Sequence, residues 1–297
     1  MVRDNASEAV TNVIRVMGSG ARLFFLLTFV FACAGLAVNA VYRTRSLHTL
    51  ILDTAQAAIA ILVFQMGFMI FKTTMPFLVP FYADPAFVKA DAILHLGNDP
   101  WKLTHNWASM FPIEWLASLY LKGWLLPAIL LPIVFAALDS DAKRVRRMLI
   151  LYFVAWIFVG NVLALVGMSV GPIYFDRLYG GESFADLPTS FHPISQEMQV
   201  IRSTQEGLWI AYTHMAQARG SGISAFPSVH LSVATLTAIY VYERSRYLLP
   251  VAVVGVAAIL FMSVYTGYHY AVDGYVSILI VIGFWLYLRH HDRKSIQ

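Results

Sequence analysis

Long apolar runs alternate with polar links along the whole chain. Seven runs of roughly 20 residues stand out, with approximate limits at 23–42, 55–71, 116–138, 148–170, 227–242, 248–265 and 268–288. About 20 apolar residues in an α-helix are enough to cross the hydrocarbon core of a bilayer, which is about 30 Å thick. The pattern therefore predicts an all-α fold, a polytopic transmembrane helical bundle of about six or seven spans.

The same pattern divides the chain into three parts. Residues 1–22 are polar to amphipathic, with apolar side chains at helical spacing, and predict a helix in the membrane interface. Residues 23–288 contain all the predicted spans and form a single transmembrane domain, because no repeat or low-complexity tract divides them. Residues 289–297 form a basic C-terminal tail.

Two long segments separate the runs. Residues 81–115 mix acidic and basic side chains with tryptophans, a combination typical of the headgroup layer, and predict a lid or collar at the membrane surface. A sharper alternative is that Lys102 or His105 from this segment enters a functional site. The second segment, 171–225, is long enough to be functional, and residues 198–218 within it could form a helix.

Composition supports a membrane protein and excludes several functional classes. The chain is 59% hydrophobic and only 13% charged, whereas average chains carry about 25% charged residues. The net charge of +4 falls largely in short loops, without the basic and aromatic groove pattern of nucleic-acid binding, so no nucleic acid partner is predicted. Cys33 is the sole cysteine, and the acids of residues 81–115 lack ligand spacing. The sequence therefore predicts neither a metal nor a cofactor.

Positively charged residues predict how the chain is oriented. They are densest in four short links. Short cytoplasmic loops carry an excess of Lys and Arg, so the side with these links can be identified. The dense links are 43–45, 143–147, 244–246 and 289–294, all on one side of a seven-span arrangement. That side should be cytoplasmic. The N-terminus, both long segments, His230 and His269 would then share the non-cytoplasmic face.

Two histidines and one carboxylate are the candidate catalytic residues on this face. His230 and His269 each open an apolar run, and Asp273 follows His269 by four residues, on the same face of a helix. Ionisable side chains inside a membrane mark functional sites. A histidine oriented by a carboxylate is a good nucleophile or base, and a second histidine can protonate a leaving group.

A predicted phosphate-binding segment lies next to His230 in the sequence. Gly222 precedes a helix start near Ser228, where free backbone N–H groups favour an anion, and Arg219 is close in sequence. A phosphate held there and attacked by His269 would give a phosphohistidine intermediate. The residues also allow simpler interpretations, since a histidine at a span end is often interfacial and Ser228 is often a helix cap.

Two motifs resemble a known family. Phe226-Pro-Ser-Val-His230 and His269-Tyr-Ala-Val-Asp273 resemble the type 2 phosphatidic acid phosphatase superfamily, most closely its inositol phosphorylceramide synthase and sphingomyelin synthase branch. Gly171-Pro-Ile-Tyr-Phe175 is similar to a segment of the inositol phosphorylceramide synthases. The resemblance implies that His269 is the nucleophile, that Asp273 orients it, and that His230 is the general acid. It also implies that Ser228 and nearby N–H groups hold phosphoryl oxygens.

The sequence departs from the phosphatases of that family at two motifs. Their first motif, a Lys followed after six residues by Arg-Pro, is not found. The Arg of their Ser-Arg pair, six residues before the second histidine, is replaced by Ser263, with Met262 before it. The sphingolipid synthases also lack this pair, which favours a phosphotransferase. The sequence does not then identify the cations that neutralise the phosphate. The candidates are Arg219, Arg177, Arg202 and Lys102.

The resemblance makes residues 23–288 a catalytic domain with membrane lipids as its partners. The predicted activity is that of an integral membrane lipid phosphotransferase. It would move a phosphoryl or phospho-head group, of the inositol-phosphate type, from a phospholipid to a lipid alcohol. One alternative is a phosphatase that hydrolyses phosphatidate or polyprenyl diphosphate. Another is a non-catalytic lipid carrier or transporter, in which His and Asp relay protons. A serine hydrolase using Ser228 is disfavoured, because two positions along a helix point Ser228 and His230 in different directions.

Overall fold

A computed structural model describes most of the chain. The described residues are 24, 26–30, 32–37, 39, 46–190, 195–214 and 222–294. The predicted interfacial helix at 1–22 and Arg219 lie outside them. Every regular element in the described part is helical, which confirms the all-α prediction.

The helices follow one another along the chain with few long links. Their order is α1 (Leu26–Ala37), α2 (Leu47–Leu78), α3 (Asp84–Leu94), α4 (Pro100–Ala108), α5 (Ile113–Ser118), a π-helical segment (Leu119–Gly123), α6 (Leu125–Leu138), α7 (Ala142–Phe153), a second π-helical segment (Val154–Leu163), α8 (Ala164–Val166), α9 (Pro172–Tyr179), α10 (Leu187–Ser190), α11 (Gln196–Thr213), α12 (Val229–Arg244), a 3-10 turn (Arg246–Leu248), α13 (Leu249–Tyr265) and α14 (Ala271–Lys294).

Four helical stretches in the described part are long and apolar enough to cross a membrane: Leu47–Leu78, Ala142–Val166, Arg246–Tyr265 and Ala271–Lys294. A fifth candidate is the pair Ile113–Gly123 and Leu125–Leu138, which is bent by 43°. The run predicted at 227–242 forms α12, whose 16 residues span about 24 Å at 1.5 Å per residue. The chain thus has the helices of a multi-pass membrane protein, and the number of six or seven spans stays a prediction.

Helix α2 is longer than the sequence suggested. It begins after Ser46, whose side chain accepts a hydrogen bond from Thr49 N, and it continues to Leu78. Pro76 lies within the last turn of this helix. There its missing N–H deprives only the Lys72 carbonyl of an intrahelical donor. The extra turns bring Lys72 and Thr73 into the bundle, where both are buried.

Helix α12 lies at the centre of the bundle and packs against α13, α14 and the second π-helical segment. Two apolar cores follow its length. Around its N-terminal half, Leu231 packs in a cluster with Met75, Trp101, Tyr120, Met168, Met262 and Tyr270. Farther along, Val233 and Leu236 pack in a second cluster with Phe68, Phe135, Leu151 and Trp156. The first core supports the end of the bundle that carries His230.

Charged side chains hold together the other end of the bundle, where α12 and α14 end. Arg147 on α7 donates to Glu243 on α12 at 2.6 Å and also pairs with Asp292 on α14. The indole N–H of Trp285 donates to Glu243 at 2.6 Å. Because these side chains hold the C-terminal ends of α12 and α14, the N-terminal ends of the same two helices are also fixed relative to each other.

Candidate active site

The three residues singled out by the motifs meet in the structure. The Nε2 atom of His269 lies 3.4 Å from Nδ1 of His230, and Nδ1 of His269 lies 3.4 Å from Oδ2 of Asp273. Asp273 is fully buried and His269 is 6% exposed. Residues from the start of α12, the α13–α14 connection and α14 therefore form one buried cluster.

His269 lies in the connection between α13 and α14, and two backbone groups hold it. Its backbone N–H donates to the Ser263 carbonyl at 3.2 Å, and its Nδ1 is 2.8 Å from the Ala225 carbonyl oxygen. A carbonyl oxygen only accepts hydrogen bonds, so Nδ1 carries the proton and Nε2 presents a free lone pair towards His230. This is the tautomer that a nucleophilic histidine requires.

Asp273 contacts His269 in a different way from the one the spacing suggested. His269 precedes the helix, so the two residues do not share a helical face. Instead Oδ2 of Asp273, in the first turn of α14, accepts from Tyr270 N at 3.0 Å and faces the His269 ring from there. The Asp273 carbonyl also accepts from Ser228 N at 3.3 Å, which joins α14 to the start of α12. The carboxylate is placed to stabilise positive charge on the His269 ring.

Two of the predicted phosphate-binding residues, Ser228 and Gly222, lie at the start of α12 and in the segment before it. Ser228 is its N-cap: the hydroxyl is buried and accepts from Leu231 N at 3.4 Å, while its own proton remains free to donate. Gly222 has φ +56, and a Cβ there would lie 2.6 Å from the Lys72 carbonyl oxygen. The segment before α12 therefore packs directly on α2, which requires a glycine.

A small pocket borders the cluster on the side of His269. It is lined by His269 together with Asp91, Asp99, Trp101 and Phe184. A second small pocket is lined by Gly222 and Thr73 with apolar side chains of α2 and α11. His269 thus lines a pocket although it is largely buried.

Comparison with protein families fits this geometry. A family model described as the PAP2 superfamily matches residues 86–287, about two thirds of the chain, including His230, His269 and Asp273. The chain belongs to the PAP2 superfamily. Members of this superfamily are phosphatases or phosphotransferases, and the apolar helices fit a membrane enzyme that acts on lipid phosphates. No curated protein sequence and no solved structure matches the chain.

Lys72 is a further candidate site residue, which the sequence analysis missed. It lies on α2, before the region matched by the PAP2 model, and is 5% exposed. Its ammonium is 3.3 Å from the Gly160 carbonyl oxygen and close enough to interact electrostatically with both His230 and His269. In the described residues no carboxylate forms a salt bridge with it. A buried cation beside two reactive histidines is suited to hold a phosphate.

A weak sequence signal for Lys72 existed. Val79 and Pro80 follow Lys72 by seven and eight positions, so the Lys and Pro of the first PAP2 phosphatase motif are present and valine replaces its arginine. A lysine at the end of an apolar run is itself a functional hypothesis. The arginine was the recognisable part of the motif, and without it the search failed.

Two of the other proposed cations have partners elsewhere, and Arg202 is exposed on α11. Lys102 pairs with Asp99 at 2.6 Å and is 55% exposed, and Arg177 pairs with Glu206 at 2.9 Å. His105 binds the Trp101 carbonyl and the Ser190 hydroxyl rather than either catalytic histidine. Of the cations in the described residues, Lys72 has the contacts that best fit a phosphate site.

The first helix of the predicted collar anchors the site. Asp91 on α3 accepts from the backbone N–H groups of Ala271 and Val272, each at 2.9 Å, and so caps the start of α14. Burial raises the pKa of the Asp91 carboxyl, whereas these two N–H groups lower it. Because Asp91 occupies the N-terminus of α14, this helix end is already satisfied. At the start of α12 the Ser228 hydroxyl caps only Leu231 N, so this helix end is the better site for an anion.

Asp84, at the start of α3, joins three further segments. Its carboxylate accepts from Val170 N and Gly171 N at 2.9–3.0 Å, from the Tyr179 hydroxyl at 3.1 Å and from the Tyr270 hydroxyl at 2.9 Å. Burial raises the pKa of this carboxyl, against the effect of these donors. Asp84 thus ties the loop after α8 to the residue next to His269.

Replacing Asp84 by alanine should destabilise the protein by at least about 3 kcal/mol, because several buried donors would lose their acceptor. In a domain of this size the melting temperature should fall by about 6 to 12 °C, measured by thermal unfolding in detergent. The control is Asp99→Ala, which removes an exposed carboxylate from the same segment and should change the melting temperature by less than about 2 °C. Equal effects of the two substitutions would contradict this anchoring role.

Proposed function

We propose that the chain is a membrane phosphotransferase that forms a phosphohistidine on His269. It would move a phosphoryl or phospho-head group from a phospholipid to a lipid hydroxyl. The observation that carries the proposal is the tautomer of His269: its Nδ1 is bound by the Ala225 carbonyl, and its free Nε2 faces His230 at 3.4 Å. A nucleophile beside a general acid is the arrangement that covalent phosphoryl transfer requires.

In the first step Nε2 of His269 attacks phosphorus. The N–P bond forms as the ester P–O bond breaks, and His230 gives a proton to the departing alkoxide. Nδ1 keeps its proton, and the positive charge that develops on the ring is stabilised by Asp273 at 3.4 Å. Lys72 and the N–H groups at the start of α12 hold the phosphoryl oxygens.

In the second step the acceptor hydroxyl attacks the phosphohistidine. His230 now takes the hydroxyl proton, the new P–O bond forms and the N–P bond breaks, which restores both histidines. The facing nitrogen atoms of the two rings are 3.4 Å apart, so the rings must separate for a phosphoryl group to enter between them.

Two observations favour a lipid alcohol over water as acceptor. His269 is nearly excluded from solvent, and the position of the phosphatase arginine is occupied by the buried Ser263. The similarity of the motifs to inositol phosphorylceramide synthases suggests an inositol-phosphate head group. The site would face the non-cytoplasmic side, because Arg244 ends α12, the helix whose start carries His230, and Arg147 pairs with Glu243 at that same end.

The first experiment uses purified protein in mixed micelles. One tube contains phosphatidate, and the other contains phosphatidylinositol with ceramide or diacylglycerol. The expected result is a new head-group-bearing lipid in the second tube, detected by mass, and none with His269→Ala. Free phosphate from the first tube alone would make the enzyme a lipid phosphatase and refute transfer. No product in either tube would favour the carrier hypothesis, which movement of labelled lipid between vesicles would then test.

A further inference from the structure

The span before α6 contains a π-helical turn beside His230. The turn covers Leu119–Gly123 and joins α5 to α6 at the 43° bend. Short π-helical turns are rare and often occur at functional sites, because they widen the helix and redirect side chains.

This turn places two aromatic rings on His230. The Tyr120 ring is stacked on the imidazole with centroids 5.0 Å apart and an interplanar angle of 8°. The Trp124 ring approaches the same imidazole at 4.0 Å and 54°. Tyr120 is 2% exposed and also stacks on Tyr268, the neighbour of His269, at 6.3 Å. The Tyr120 ring is therefore fixed in the core, and the partly buried Trp124 ring packs at its edge.

His230 has little else to fix its orientation. His269 is held by the Ala225 carbonyl and faces a carboxylate, whereas the one hydrogen-bond contact of the His230 ring in the described residues is the 3.4 Å contact with His269. That contact must break when the phosphoryl group enters. Rotation of the imidazole about its Cβ–Cγ bond is then limited by the flanking rings alone.

We infer that Tyr120 and Trp124 form an aromatic clamp that positions His230 for proton transfer. This inference rests on the proposed phosphohistidine mechanism. The stacked Tyr120 ring keeps the plane of the imidazole fixed, so that Nδ1 stays directed at the leaving oxygen beside His269. The ring faces also stabilise the imidazolium that forms when His230 takes the acceptor proton. Tyr120 and Trp124 are positioning residues, since they act through His230.

The clamp is tested by comparing how fast the enzyme reacts with donors that have different leaving groups. Whichever donor the wild type accepts, phosphatidylinositol or phosphatidate, is compared with an analogue in which 4-nitrophenol replaces diacylglycerol. Nitrophenolate leaves without a proton, so its release does not need a positioned general acid. In single turnovers, the substitution Tyr120→Leu should lower the rate at which the phospholipid loses its diacylglycerol by about 30-fold, and the rate of nitrophenolate release from the analogue by less than about 3-fold.

Two further variants separate positioning from loss of packing. Tyr120→Phe keeps the stacked ring and should stay within about 2-fold of the wild type with both substrates. Phe135→Leu removes a buried ring from α6 that packs on Tyr240, away from His230, and should affect both substrates equally. An equal loss with both substrates for Tyr120→Leu, or a large loss for Tyr120→Phe, would overturn the clamp.

A second measurement does not need turnover. In protein labelled with ¹³C at the histidine Cε1 position, ring currents should shift the His230 signal upfield, and Tyr120→Leu should move it downfield. The signal is assigned by its disappearance in His230→Gln. An unmoved signal refutes the clamp even if the enzyme is active. A moved signal without turnover of any donor supports the clamp and refutes the proposed function.

Discussion

Replacing His269 by alanine should lower kcat by about 10⁴-fold or more, the largest effect expected for any single substitution in this chain. The reason is that Nε2 of His269 is the atom that bonds to phosphorus, and its neighbours only orient the ring or move protons. The measurement is the rate of product formation in mixed micelles. It is accompanied by a search for ³²P on the protein after a brief reaction with labelled phospholipid. Phosphohistidine should be labile to acid and stable to base, and the label should be absent from the variant.

The matched control for this substitution is His105→Ala. His105 is a partly buried histidine on α4 that stacks on Tyr265 at 4.2 Å and binds the Trp101 carbonyl, but it does not contact either catalytic histidine. Its activity should stay within about 3-fold of the wild type. More than a tenth of wild-type activity in His269→Ala, or ³²P on another residue, would exclude His269 as the nucleophile.

The proposed catalytic residues could be singled out from the sequence because their signals are local. His230 and His269 stand at the start of apolar runs, and Asp273 is within one helical turn of His269 in sequence. The cap of α12 was equally accessible, since Ser228 precedes the run and serine favours N-caps. Each of these signals is contained within about ten residues, the length over which helical periodicity and capping preferences act.

The anchoring acids were not predictable in this way. Asp84 and Asp91 lie among charged residues and tryptophans, which resemble a membrane-surface collar. Their partners are backbone N–H groups near residues 170 and 271, far along the chain. Every residue except proline has such a group, so composition cannot show which ones need an acceptor. Only the folded helix ends reveal them.

The contact between His269 and Asp273 was predicted from a shared helical face, but in the structure the two residues make this contact in another way. The four-residue spacing suggested one helical face, but α14 begins at Ala271, after the histidine. The carboxylate reaches the ring because it turns back to bind Tyr270 N at the start of the helix. Helix boundaries are the least certain part of a sequence-based prediction, and here they decide the geometry of the site.

The position of Lys72 could not be predicted either, because its contacts are with segments that are far away along the chain. Its neighbours are Gly160 and Gly222, so three distant segments must pack together before its role is visible. Replacing Lys72 by methionine should lower kcat/KM by about 10² to 10³-fold, because the ammonium stabilises charge that develops on the phosphoryl oxygens. Inhibition by orthovanadate, which mimics the transferring phosphoryl group, should weaken by a similar factor. Both are measured in the micelle assay.

The stability of Lys72→Met distinguishes binding from a structural role. A buried ammonium with a neutral carbonyl partner loses hydration without full compensation, so methionine of similar length should leave the melting temperature unchanged or raise it. A structural lysine would instead give a lower melting temperature and a proportional loss of folded enzyme. The control Lys102→Met removes an exposed lysine paired with Asp99 and should change neither quantity. If Lys72→Met keeps wild-type kcat/KM and vanadate inhibition, the phosphate is neutralised by another cation, and the buried ammonium has no part in the reaction.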